Sequence, residues 1–202
     1  MDGSQPTSSR APLDSNTSAR SEGSQASLWT GDGVAPQWRP KVARFFLYWR
    51  SIHPGSGLLP GRQHFDPLAI HALLPGVWLL DVQRKPFRLR YRLVGTEAVE
   101  AIGTEVTGKW MDECHTAMHE EPAYYERYRA VVEQKLPSWR RGVPRLWTHK
   151  KYATLENMVL PLAADGITVN MLAVLTVFHA ESLVGGLEET PQESPFATRR
   201  PI

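Results

Sequence analysis

The sequence predicts an α+β fold, in which a five-stranded antiparallel sheet carries small helices on one face and follows an amphipathic N-terminal helix. Three observations support this prediction. Apolar and basic side chains alternate along Arg88–Gly95 (RLRYRLVG), which is typical of a half-buried strand. The dipeptide Asp165–Gly166 separates two apolar runs and indicates a β-hairpin. Lys41–Ile52 has apolar residues at helical spacing.

The N-terminal helix begins near Pro40, a residue favoured in the first turn of a helix. Its apolar face is predicted to contain Val42, Phe45, Phe46 and Trp49. After a loop rich in glycine and proline, Asp66 and Pro67 predict the start of a second, short helix. Pro75 and Gly76 end it.

Val77–Val82 is predicted as a buried strand that forms a hairpin with the alternating strand. Small helices are expected over Thr96–Glu113. A clearer helix runs from Pro122 to about Pro137, with an apolar face and an exposed face that includes Arg127. Three further strands complete the sheet, at Ser138–Thr148, Tyr152–Ala164 and Ile167–His179, and the last two are joined by a tight turn at Asp165–Gly166.

The two ends of the chain lack apolar residues to bury. Residues 1–37 are predicted to be a disordered Ser/Gly-rich tail, and residues 181–202 a flexible C-terminal tail. The folded domain therefore spans residues 38–180.

Composition limits the compartment and the partners. The formal net charge is only +2, so a nucleic-acid surface is not expected. Cys114 is the single cysteine, which excludes an intramolecular disulfide and fits a reducing cytoplasm. The apolar runs are too short for insertion into a membrane. We therefore expect a cytoplasmic protein.

The order of these elements, together with several local motifs, resembles the PAS domain, and in particular the short stand-alone bacterial PAS-like proteins. The motifs are YWRS at Tyr48–Ser51, FDPLAIHALLPGVWLLDV at Phe65–Val82, FRLRYRLVGT at Phe87–Thr96, IG and TGKW within Ile102–Trp110, YRAVVE at Tyr128–Glu133 and MVLPLAADG at Met158–Gly166. The resemblance implies a sensory or protein-interaction module that binds a small molecule or dimerises and acts on a separate protein partner.

A ligand pocket is predicted between the sheet and its helices, although the same side chains can equally form a packed core. Leu89, Tyr91 and Leu93 are expected on the inner side of the sheet, together with alternate residues of the last strand. The candidate pocket residues are Leu89, Tyr91, Leu93, Trp110, Met111, Tyr125, Tyr128, Met171 and Ala173.

The opposite side of the last strand mixes polar and apolar residues, which indicates that something covers it. The N-terminal helix is expected to do so, either within one chain or across a homodimer. The candidate interface residues are Phe45, Phe46, Trp49, Leu172, Val174 and Phe178.

Motifs for catalysis and cofactors are weak. His115 and His119 are the only candidate metal ligands, and a third ligand is not evident. No motif supports heme or flavin, so the cofactor stays unknown. Without a catalytic constellation, we favour a non-enzymatic sensor or adaptor. The alternative is a small α+β enzyme with a pocket between sheet and helices.

Overall fold

An antiparallel sheet of six strands organises the described part of the chain, with helices on both faces. The computed structural model describes residues 24–115, 123–144 and 152–179. In chain order the elements are β1 (Ser24–Leu28), α1 (Pro40–Ser51), two 3₁₀ helices (Arg62–His64 and Leu68–Gly76), β2 (Val77–Arg84), β3 (Phe87–Val94), α2 (Thr96–Ile102), α3 (Met111–Cys114), α4 (Ala123–Gln134), β4 (Ser138–Gly142), β5 (Thr154–Leu162) and β6 (Met171–His179).

The strand order is β1-β4-β5-β6-β2-β3, so the first predicted hairpin lies beside the C-terminal strand. The predicted hairpins β2–β3 and β5–β6 are confirmed. Asp165 and Gly166 lie in a tight turn, in which the Gly166 N–H donates to the backbone oxygen of Ala163 (3.1 Å), but the predicted two-residue connection between the strands is wrong. Pairing of β5 with β6 stops at Leu162 and Met171, and residues 163–170 form a longer loop. Asp165 stabilises this loop because its Oδ1 accepts hydrogen bonds from the backbone N–H groups of Ile167 and Thr168.

The sheet has one strand more than predicted. Ser24–Leu28 lies in the segment expected to be disordered, and it pairs antiparallel with β4 at the edge of the sheet. The following loop is also ordered, since Ala35 is buried. The expectation of disorder is therefore contradicted for residues 24–37, whereas residues 1–23 and the predicted C-terminal tail lie outside the described part.

A β-bulge in β3 determines which side chains share a face. Leu79 pairs with Leu93 but Leu80 pairs with Tyr91, so Arg92 is the extra residue. Paired residues point to the same face, and the bulge therefore places Tyr91 and Leu93 on opposite faces. We call the face covered by α3 and α4 the inner face, and the face covered by α1 the outer face. Leu89 and Tyr91 are on the inner face, as predicted, and are fully buried.

The prediction for the faces of β6 is wrong. Leu172 and Val174 pair with Leu80 and Trp78 and point to the inner face. Ala173 pairs with Leu79 and points to the outer face, as does Met171. All four are buried. Because β6 is buried on both faces, no alternation of polar and apolar residues shows which face is which.

Helix α1 packs on the outer face of its own chain. Phe45, Phe46 and Trp49 are all buried there, and the Trp49 indole N–H donates to the backbone oxygen of Pro161 in β5 (2.9 Å). Cover by α1 within one chain is thus observed. No helix in the described ranges is long and apolar enough to cross a membrane.

Candidate functional site

A chain of hydrogen bonds crosses the inner face and joins the helices to the sheet. It begins at Arg127 in α4. The Arg127 guanidinium donates to Ser138 Oγ in β4 (2.8 Å) and to Asn157 Oδ1 in β5 (2.7 Å). It also reaches the backbone oxygens of Ser138 (3.1 Å) and Asn157 (3.3 Å). One side chain therefore connects α4 to two neighbouring strands.

Thr176 extends this chain of hydrogen bonds to the middle of the sheet. Its hydroxyl oxygen accepts hydrogen bonds from the Asn157 amide (2.9 Å) and from the Trp78 indole N–H in β2 (3.0 Å). Thr176 is 1% exposed, so water cannot replace these partners. Polar contacts thus run without a break from α4 to β2.

The chain ends at a buried Tyr–His pair. The Trp78 ring stacks on Tyr91 with 5.6 Å between centroids. The Tyr91 hydroxyl lies 2.8 Å from Nε2 of His115, which directly follows α3. Tyr91 and His115 are both buried. This pair joins the helical layer to β3 as Arg127 joins it to β4 and β5.

Tyr91 stays protonated at physiological pH. Burial raises the pKa of its hydroxyl well above the ordinary value, and the nearby side chains of Tyr128, Cys114 and Tyr125 add to the shift. Burial also raises the pKa of the Cys114 thiol, which disfavours the reactive thiolate. Tyr91 and Cys114 therefore present a neutral hydroxyl and a neutral thiol at this end of the inner face.

A charged cluster lies beside this pair, at the edge of the sheet where Arg90 of β3 forms a bridge with Trp110. Arg88 makes two hydrogen bonds of 2.8 Å to Asp112 in α3 and one of 2.7 Å to Glu113. Its guanidinium carbon lies 4.3 Å from the centroid of the Trp110 ring. The Trp110 ring therefore packs against a charged side chain, and its predicted place over the inner face stays a prediction.

The structure brings some of the predicted pocket residues together and separates others. Leu89, Tyr91, Met111 and Tyr128 are buried, and Tyr125 packs edge-on against Phe87 at 6.0 Å. Leu93, Met171 and Ala173 belong to the outer face, so their predicted placement beside Tyr91 is wrong. Whether the inner-face residues bind a ligand stays a prediction.

The predicted interface residues are largely enclosed. Phe45, Phe46 and Trp49 are buried between α1 and the sheet, and Leu172 and Val174 lie on the inner face instead of opposite it. Phe178 is half-buried, with its ring 4.6 Å from that of Tyr152. In this structure the candidate interface residues do not form a continuous exposed surface.

Sequence reasoning missed the polar chain. Arg127 was expected to be exposed, but it precedes Val131 by four residues and so shares its buried face. Asn157 and Thr176 stand within strands that are otherwise apolar, and buried polar groups in such strands need partners. The spacing of Arg127 and Val131 and the polar residues within apolar strands could therefore have indicated these contacts from the sequence.

The metal prediction gains no support from the described residues. They contain no group of three or more His, Cys, Asp and Glu side chains that could hold a metal ion. His115 contacts Tyr91, and His119 lies outside the described part.

Comparison with known proteins identifies the family of this chain. Residues 39–176 match the PAS domain. A structure described as an RNA-binding Light-Oxygen-Voltage receptor aligns with a TM-score of 0.41 and 12% identity, covering 77% of this chain and 38% of that chain. The chain thus spans under two fifths of that protein's length. A search of curated proteins finds no match.

Proposed function

The chain belongs to the PAS domain family, and we propose that it is a non-enzymatic sensory or adaptor module whose inner face perceives a small molecule and passes the change to a protein partner. PAS domains commonly bind small molecules and mediate protein interactions. The observation that carries the proposal is the buried Tyr91–His115 pair between the sheet and the helical layer.

This pair suits a sensing role for a physical reason. A molecule that enters between the helices and the sheet can replace one hydrogen bond of the pair with its own. The net free energy of such an exchange is small, because one buried partner substitutes for another. The helical layer then loses one of its attachments to β3, and this change reaches the surface of the module.

Native mass spectrometry and an absorption spectrum of the purified chain test the proposal. We expect wild type to retain a small molecule and Tyr91→Phe to retain several-fold less, because one hydrogen bond is lost. Tyr48→Phe is the matched control: its hydroxyl also makes a hydrogen bond, donated to the backbone oxygen of Asp66 (3.0 Å), but it lies on α1. Its occupancy should equal that of wild type.

Two outcomes would contradict parts of the proposal. Equal occupancy in wild type and Tyr91→Phe would place the molecule away from the inner face. A wild-type protein without any retained molecule would refute ligand perception, and a dimeric mass would then favour the adaptor role alone.

A further inference from the structure

A groove with a volume of about 440 Å³ opens on the outer face, on the side of the sheet away from the Tyr91–His115 pair. We call it the outer groove. Its walls include Phe65, Leu74, Val77, Leu79 and Leu93. This volume lies within the range of small-molecule sites, which are mostly apolar with a few polar groups.

The β-bulge creates one wall of the groove. If Arg92 occupied a regular position in the ladder instead of the bulge, strict alternation would place Leu93 on the inner face beside Tyr91. With the bulge, Leu93 faces the groove and keeps 43% of its surface exposed. Leu93 therefore offers an accessible apolar surface to a molecule in the groove.

Gly95 forms the floor of the outer groove, where the end of β3 meets the second 3₁₀ helix. A Cβ atom at Gly95 would collide with the backbone oxygens of Leu74 and Pro75. Only glycine therefore lets the end of β3 approach the second 3₁₀ helix this closely. This close approach shapes the end of the groove.

One strong cation lines the groove. Arg62 donates to the backbone oxygen of Phe65 (3.0 Å), and among the described residues it makes no ion pair. Within the described ranges, the residues that line the groove include no acidic side chain. The nearby carboxylates are engaged elsewhere: Asp66 accepts from the backbone N–H of Leu68 (2.9 Å), and Glu97 pairs with Lys41 (3.9 Å).

We propose that the outer groove binds an amphipathic monocarboxylate, with its apolar chain against Leu79 and Leu93 and its carboxylate on Arg62. The apolar walls select a hydrocarbon chain. A guanidinium pairs with a carboxylate through parallel hydrogen bonds, and a single arginine matches a single negative charge. A phosphate dianion would need more cationic groups than the groove offers. The site is separate from the inner face and does not rest on its proposed function.

Isothermal titration of the full chain with decanoate, below its micelle-forming concentration, tests the proposal. Wild type should bind one molecule saturably. Arg62→Gln should weaken binding about tenfold or more, because a charge-assisted hydrogen bond is lost. Leu93→Asp should abolish binding, because it places a negative charge beside the chain. The matched control is Leu47→Asp, at an exposed leucine of α1 that does not line the groove, with unchanged affinity.

Two further measurements test whether binding needs the carboxylate and whether it occurs in the outer groove. Decan-1-ol, which has the same chain without the charge, should bind much more weakly than decanoate. Tyr91→Phe should leave decanoate affinity unchanged. Absence of saturable binding in wild type, or unchanged affinity in Leu93→Asp or Arg62→Gln, would overturn the proposal. Loss of decanoate binding in Tyr91→Phe with retention in Leu93→Asp would also overturn it, while supporting a ligand on the inner face.

Discussion

The two faces of the sheet hold their helices by different means. On the outer face, α1 buries Phe45, Phe46 and Trp49. On the inner face, hydrogen bonds from Arg127 and His115 connect the helical layer to the strands. Apolar burial is lost entirely when a helix moves away, whereas a hydrogen bond can be exchanged for another at little net cost. Apolar side chains such as Tyr128 and Val131 of α4 are buried as well, so we expect the exchangeable hydrogen bonds, and not the absence of packing, to make the inner face the more responsive side.

The outer face also has a buried carboxylate that anchors α1. Glu156 is fully buried, and its Oε1 accepts from the backbone N–H of Arg39 at the start of α1 (3.1 Å) and from the Trp139 indole N–H (2.8 Å). A carboxylate at a helix N-terminus is favourable. This contact fixes the position of α1 on the sheet, whereas the aromatic residues supply the buried area.

The largest effect is expected from truncation on the outer face. Phe46→Ala should lower the free energy of unfolding by about 3–5 kcal/mol, because it leaves a cavity between Trp38 and Trp49. Urea unfolding measures this loss. Leu47→Ala, next in sequence but 53% exposed, should change stability by no more than about 0.5 kcal/mol. Similar losses in the two variants would show that α1 does not pack as described.

A smaller effect is expected from breaking the polar chain at its centre. Thr176→Val keeps the shape of the side chain but removes the acceptor for Asn157 and Trp78. The two unsatisfied donors should cost about 1–3 kcal/mol in urea unfolding. Thr104→Val, at an exposed threonine, is the control with little expected change. If both variants were equally stable, the inner face would not depend on this chain.

The same contrast explains which parts of the fold were predictable. In β3 the alternation of apolar and basic residues identified the inner-face positions Leu89 and Tyr91, because only one face is buried. The pattern could not reveal the bulge at Arg92, which depends on pairing with β2. In β6 both faces are buried, so the sequence does not say which side chains meet Tyr91.

The candidate site was predictable only in part, for a related reason. Sequence patterns locate apolar stripes, and these placed Tyr91 and Tyr128 in the core. Hydrogen bonds between distant residues have no local signature. Arg127 contacts Asn157 and Asn157 contacts Thr176 only because the sheet brings β5 beside β6 and α4 over them. β1 was missed because its five residues, Ser24–Leu28, are mostly small and polar and rely on pairing with β4.

The smallest effect is expected at the edge of the inner face, where the contact between Arg88 and Asp112 is partly exposed. The hydrogen bonds from Arg88 lower the pKa of Asp112 below its ordinary value of 3.8. A carboxylate with a lowered pKa stabilises the fold above that ordinary value and loses this contribution as the pH falls through its folded-state pKa. Asp112→Asn should therefore be less stable than wild type at neutral pH, by less than Thr176→Val.

Urea unfolding at neutral pH and at about pH 3 separates this ionic contribution from packing. The difference between wild type and Asp112→Asn should shrink at the lower pH, because the contribution of Asp112 is lost as the pH falls from its ordinary pKa towards and through its lowered folded-state pKa. Asp32→Asn is the control. The Asp32 side chain is 98% exposed, and it pairs with Arg50 of α1 (3.5 Å) on the outer side of the sheet. A difference in stability that persisted unchanged in acid would mean that Asp112 holds α3 on β3 by packing and not by its charge. Packing would then hold the helices on the inner face as it does on the outer face.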